Sequence, residues 1–104
     1  MLMLAFSARL AAAPPTFAHD IAPIVFKTCA PCHRPGESGP FPLLRYEDVK
    51  SHARQIADVT RRRFMPPWMP EAGHGEFVGE LRLTDREIQL FAHWAEADAP
   101  EGAA

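Results

Sequence analysis

The chain has 104 residues, two cysteines, eleven prolines and a formal net charge of −2 at pH 7. A single domain of this length buries only a modest share of its surface, and a charge this close to neutral excludes the basic footprint of a nucleic-acid binder. Proline stands at about twice its usual ~5% share and falls between stretches of helical periodicity, so the connections read as stiff, defined loops.

Residues 1–13 are apolar and alanine-rich in the manner of an export leader, although Arg9 interrupts the run and no positive segment precedes it. The run is too short for a bilayer span, which takes about 20 apolar residues, so no firm membrane anchor is read here. Residues 1–16 are read as a leader or an unstructured N-terminus, and residues 17–102 as the domain.

Asp20 is the expected N-cap of the first helix, Pro23 is tolerated in its first turn, and Ile24, Val25 and Phe26 carry an apolar stripe toward Cys29. There Cys29-Ala30-Pro31-Cys32-His33 sets two thiols three positions apart with an imidazole directly after them. This is the attachment signature of c-type haem: each thiol can add to one vinyl group, and the imidazole can take the iron. A bare Cys-x-x-Cys would equally describe a thiol redox site or half of a zinc site; His33 narrows the choice. No cysteine remains for a structural disulfide, and His19, His52, His74 and His93 are not paired at zinc-finger spacing. Residues 33–42 are rich in Gly and Pro and have to wrap as a loop.

A second helix is expected over residues 46–62, where Val49, Ala53, Ile56 and Thr60 recur at helical spacing with Val59 beside them. His52 falls on that face or its margin and reads as a packed residue rather than a ligand. Arg61, Arg62 and Arg63 close the helix, where cations favour the dipole; they also offer a docking patch for an acidic redox partner. Residues 64–70 then present Met65 and Met69, each followed by proline. Proline holds the preceding residue extended, so Met65-Pro66-Pro67 forms a strap able to offer its thioether as a sixth iron ligand. Met65 is preferred over Met69 because it directly follows the arginine-rich helix end and is backed by two prolines. Trp68 is expected against the haem edge, its indole N–H available to a propionate or a carbonyl.

Glycines make residues 70–80 a loop, with His74 a surface residue. The last helix is the best signalled: Thr84-Asp85-Arg86-Glu87 is a capping box, and Leu83 with Ile88 is its hydrophobic staple. Ile88, Phe91, Ala92 and Ala95 form the expected inner face, flanked by Trp94, while His93 faces solvent.

Taken together, these features resemble a class I mono-haem c-type cytochrome. The runs His33-Arg34-Pro35-Gly36, Gly39-Pro40-Phe41-Pro42-Leu43-Leu44, Tyr46-Glu47-Asp48-Val49 and Met65-Pro66-Pro67-Trp68 are similar to cytochrome c modules joined to larger bacterial redox proteins. The resemblance implies an all-α fold of about three main helices around one covalently attached haem c. It implies N- and C-terminal helices packed together, with the Ile24 and Phe26 region against Phe91 and Trp94. It also implies that Pro40 offers its carbonyl to the His33 ring, which would orient the imidazole and raise its basicity. The loop between His33 and Gly39 is shorter than in the mitochondrial pattern, so Arg45, Tyr46 and Trp68 stand only as candidates for holding the propionates.

The resulting expectation is one-electron transfer by an iron between His33 and Met65, with thioethers at Cys29 and Cys32 and no catalysis by the isolated chain. Haem of this type is attached outside the bacterial cytoplasmic membrane, which implies a periplasmic or exported protein that meets redox partner proteins. Three alternatives remain: a haem module of a larger oxidoreductase; a five-coordinate or bis-histidine haem sensor or peroxidase using His52 or His74; and a thiol redox or zinc protein without haem.

Overall fold

The computed structural model describes residues 13–67 and 82–103. Proline at position 23 shapes how the first helix begins. It has no N–H and its ring crowds the carbonyl four residues back, and the chain accommodates it with a wide turn in which the Ala22 N–H donates to the Phe17 carbonyl. This π-helical turn, Phe17–Ile21, leads into α1, Ala22–Thr28. Its cap is Thr16 rather than the expected Asp20. Thr16 is extended and accepts the His19 N–H through its hydroxyl (3.3 Å), while Asp20, inside the first turn, accepts the Thr16 N–H (2.9 Å). That backbone N–H is the main reason the Asp20 carboxyl is held below its ordinary pKa.

The stretch expected as one helix over residues 46–62 is two: α2, Tyr46–Ser51, and α3, Ala53–Arg61. The break falls at His52 (φ −113°, ψ 14°) without any proline or glycine. Its ring Nδ1–H donates to the Asp48 carbonyl four residues back (2.9 Å), occupying an acceptor of the helical ladder. Among the described residues, four α-helices therefore stand where about three were expected. At the end of α3, Asp58 receives both Arg61 (2.9 Å) and Arg62 (3.3 Å), which hold its carboxyl below the ordinary value. These are exposed surface pairs, which contribute little to stability.

The capping box of α4, Asp85–Glu96, forms as the sequence predicts. The Thr84 hydroxyl accepts the Glu87 N–H (3.1 Å), and the Glu87 carboxylate accepts the Thr84 N–H (2.9 Å). Leu83 is buried and Ile88 half-buried, as a staple requires. Thr84→Ala is expected to cost about 1 kcal/mol, read as a thermal midpoint roughly 4–8 °C lower; an unchanged midpoint would deny the cap its role.

α3 packs on α4, and the π-helical turn packs on both α1 and α4. Trp94, expected as a flank, is the centre of the core: it is fully buried beside Phe91, Ile21, Val25 and Val49. The ring that meets it comes from Phe17 (centroids 6.1 Å apart), whereas Phe26 stands half exposed. Trp94 belongs inside because its indole N–H finds the Pro100 carbonyl (2.9 Å), which removes the cost of burying that donor. Residues after α4 are sewn back over the first turn, with the Phe17 and Ala18 N–H groups donating to the Pro100 and Glu101 carbonyls (both 2.9 Å). The described residues are thus all-α, without a strand. None of their helices is long and apolar enough to cross a membrane.

Candidate functional site

Four segments of the chain line one cleft of about 260 Å³. Thr28, Cys29, Cys32 and His33 come from the end of α1 and the turn after it. The 38–43 loop supplies Ser38, Gly39, Pro40, Phe41 and Leu43; α3 supplies Gln55, Ile56, Val59 and Thr60; the strap supplies Met65, Pro66 and Pro67. None of these residues carries a carboxylate, an ammonium or a guanidinium group. The hydroxyls of Thr28 and Thr60 are spent on carbonyls of their own helices, at 2.6 and 2.7 Å.

Backbone hydrogen bonds fix His33 from both sides in sequence. Its N–H donates to the Cys29 carbonyl (3.0 Å), its carbonyl accepts from Leu43 (2.8 Å), and Gly39 donates to the Cys32 carbonyl (2.9 Å). The His33 ring is oriented by a carbonyl 2.9 Å from Nδ1, and that carbonyl belongs to Phe41, not to Pro40. Pro42 accounts for the shift of one residue, since the residue before a proline is held extended and Phe41 is that residue. A carbonyl can only accept, so the Nδ1 proton is fixed and the neutral ring keeps its lone pair on Nε2.

Gly39 is the position that permits this approach. A Cβ there would lie 2.7 Å from the Cys32 carbonyl oxygen, 2.7 Å from His33 Nδ1 and 2.9 Å from His33 Cγ. Because the carbonyl is backbone, Gly39→Ala is expected to cost about 2 kcal/mol in urea unfolding. Ser38→Ala, on an exposed neighbour, should stay within about 0.5 kcal/mol. Equal midpoints for the two variants would refute the close-approach argument.

Cys29 and Cys32 are half-buried free thiols. Burial pushes the Cys29 thiol above its ordinary pKa, only partly offset by the Thr28 hydroxyl 3.7 Å from the sulfur. Redox-active cysteines have lowered values and cationic neighbours, so this environment runs against a thiol–disulfide site. Among the described residues no three His, Cys, Asp or Glu side chains converge to hold a metal ion.

The strap is tied at both ends of its first turn. The Phe64 and Met65 N–H groups both donate to the Val59 carbonyl (2.9 and 3.2 Å). Arg63, at φ 57°, donates to the Leu83 carbonyl (3.1 Å) and pairs with Asp85 (2.7 Å). Met65 and Pro66 also line a smaller cavity of about 40 Å³ beside Leu83 and Ile88, so the strap lies between the cleft and the start of α4.

Five of the residues singled out from the sequence, Cys29, Cys32, His33, Pro40 and Met65, therefore meet at one cleft. Arg45 and Tyr46 do not line it. Arg45 is exposed at the start of α2, and the Tyr46 hydroxyl is committed to the Ala99 carbonyl at 2.6 Å. His52 also lies outside the lining, stacked on Phe41. Trp68, Met69 and His74 fall outside the described residues. Sequence reasoning passed over Ser38, Gln55 and Phe41; the sole signal for Gln55 was its place next to Ile56 on the edge of an apolar stripe. Comparison with protein-family models, with curated proteins and with solved structures gives no match to this chain.

Proposed function

We propose that this chain is a mono-haem c-type cytochrome of class I, a carrier of single electrons rather than an enzyme. The observation that carries the reading is that Cys29, Cys32, His33 and Met65 line a single apolar cleft free of charged side chains. The residues present fit the group in three respects. The thiols stand beside an imidazole whose Nδ1 proton is committed to Phe41, leaving Nε2 for a metal. A thioether is held to the same cleft on a proline-backed strap. The lining of Phe41, Leu43, Ile56 and Val59 suits a flat apolar macrocycle.

A bound haem c would supply an iron that gives and takes one electron at a time. Cys29 and Cys32 would hold it covalently, His33 Nε2 and the Met65 sulfur would hold its iron, and the apolar lining would keep water away. With Arg45 and Tyr46 away from the cleft, Ser38 and Gln55 are the lining groups able to receive a propionate. Such a carrier works between redox partner proteins, either free or as the haem module of a larger oxidoreductase, in the exported compartment where haem is attached.

The test is a denaturing gel stained for covalent haem after expression with the attachment machinery. Wild type is expected to keep the stain and the Cys29→Ser, Cys32→Ser double variant to lose it. A clean wild-type lane would sink the proposal.

A further inference from the structure

His52 breaks a helix whose periodicity would otherwise run through it, and the imidazole set free by that break lies flat on Phe41. The two ring centroids are 3.9 Å apart and the planes 4° from parallel. The His52 ring is held in turn by its Nδ1–H to the Asp48 carbonyl (2.9 Å), with the Ser51 hydroxyl 3.1 Å from the same nitrogen. Phe41 also meets His33, at 4.8 Å between centroids with a 36° tilt, and its carbonyl accepts the His33 Nδ1 proton. One residue thus touches His33 through its ring and its backbone, and a second imidazole presses on that residue's ring.

We propose that His52 is a positioning residue for His33, acting through Phe41. Pro42 constrains the Phe41 backbone on one side, but nothing in the backbone fixes the Phe41 side chain. The ring packs partly on the apolar core, and the parallel contact with His52 holds its face, and with it the carbonyl that accepts the His33 Nδ1 proton. The hydrogen bond behind a metal-binding imidazole sets its orientation and basicity, so His52 tunes the ligand without lining the cleft. Its importance to electron transfer rests on the haem reading; the contact chain itself does not.

The test uses the full chain labelled with ¹⁵N-histidine, as purified, and reads the hydrogen-exchange lifetime of the His33 Nδ1 proton. That proton is present whether or not haem is bound, and a haem-stained gel of the same sample scores occupancy separately. His52→Gln keeps a donor for the Asp48 carbonyl but removes the ring face, and is expected to shorten the lifetime about threefold to tenfold, the equivalent of one aromatic contact. His52→Phe keeps the face without the donor and should restore the lifetime to within about twofold. Phe41→Leu keeps the His52 donor to the Asp48 carbonyl but removes the other ring of the stacked pair, and should match His52→Gln. Wild-type lifetimes in His52→Gln or in Phe41→Leu would overturn the inference, as would a His52→Phe lifetime as short as that of His52→Gln. Failure of the haem stain with these lifetimes intact would count against the haem reading alone.

Discussion

In the cytochrome proposed above, replacing Met65 by alanine is expected to erase the sulfur-to-iron charge-transfer band of the ferric protein and to lower its reduction potential by something on the order of 0.1 V. A thioether ligand would favour the reduced iron, and Met65→Ala removes that donor from the cleft. The effect should be confined to ligation by Met65. Met65 would take no part in thioether bonds at Cys29 and Cys32, so the haem stain on a denaturing gel should persist. Nor is Met65 a pillar of the core, being more than a third exposed. The strap would keep its course in the variant, because its anchors are the Met65 backbone N–H on Val59 and the Arg63 guanidinium on Leu83 and Asp85. A charge-transfer band that survives Met65→Ala transfers the role elsewhere, and Met69→Ala is the variant to compare next.

Trp94→Ala should be the most damaging change to the fold. The side chain is completely buried, meets the Phe17 ring and donates to the Pro100 carbonyl. Truncating a buried tryptophan costs about 3–5 kcal/mol, and a small domain holds only about 5–15 kcal/mol in total. The denaturant midpoint is therefore expected to fall by a large fraction of its value, with loosening at the point where the chain after α4 returns over the first turn. Trp94→Phe keeps a ring but not the N–H and should lose roughly half as much or less. A Trp94→Ala protein that melts within a couple of degrees of wild type would show that the core is organised elsewhere.

Features that depend on neighbouring residues were legible in the sequence. The thiol–thiol–imidazole run is a matter of three side chains in five positions, and the box of Thr84 and Glu87 closes within one helical turn. Helical periodicity likewise placed α4, and it covered α2 and α3 as one helix. What escaped depends on where distant chain goes. Tyr46 reads as a polar group free for a ligand, yet its hydroxyl is taken by Ala99 from the other end of the domain. The acceptor for His33 moved from Pro40 to Phe41 because the path of a loop with two prolines decides which carbonyl turns inward. His52 carries no sequence mark of a helix break; its ring N–H takes the Asp48 carbonyl from the ladder, and its ring lies on Phe41, which belongs to a different segment of the chain. The apolar stripe of α3 was read as a packing face, but Ala53 goes to the core while Val59 lines the cleft and Ile56 and Thr60 are buried at its edge.

The stitching of the chain after α4 onto its first turn bears on how such a domain can be carried by other proteins. Gly102, at φ +78°, passes so close to Thr16 that a Cβ there would meet the threonine Cβ at 2.6 Å. The polypeptide thus comes in and departs at virtually one spot, on the side fastened by Phe17, Ala18 and Tyr46. Whatever is spliced before Thr16 and after Gly102 would be held side by side like the two jaws of a clip. A host could accept the whole unit within a surface loop without being pried open, since adjacent ends are the geometric condition for tolerated domain insertion. The cleft residues all lie between those two points in sequence, so such grafting leaves every one of them on an uninterrupted stretch of chain.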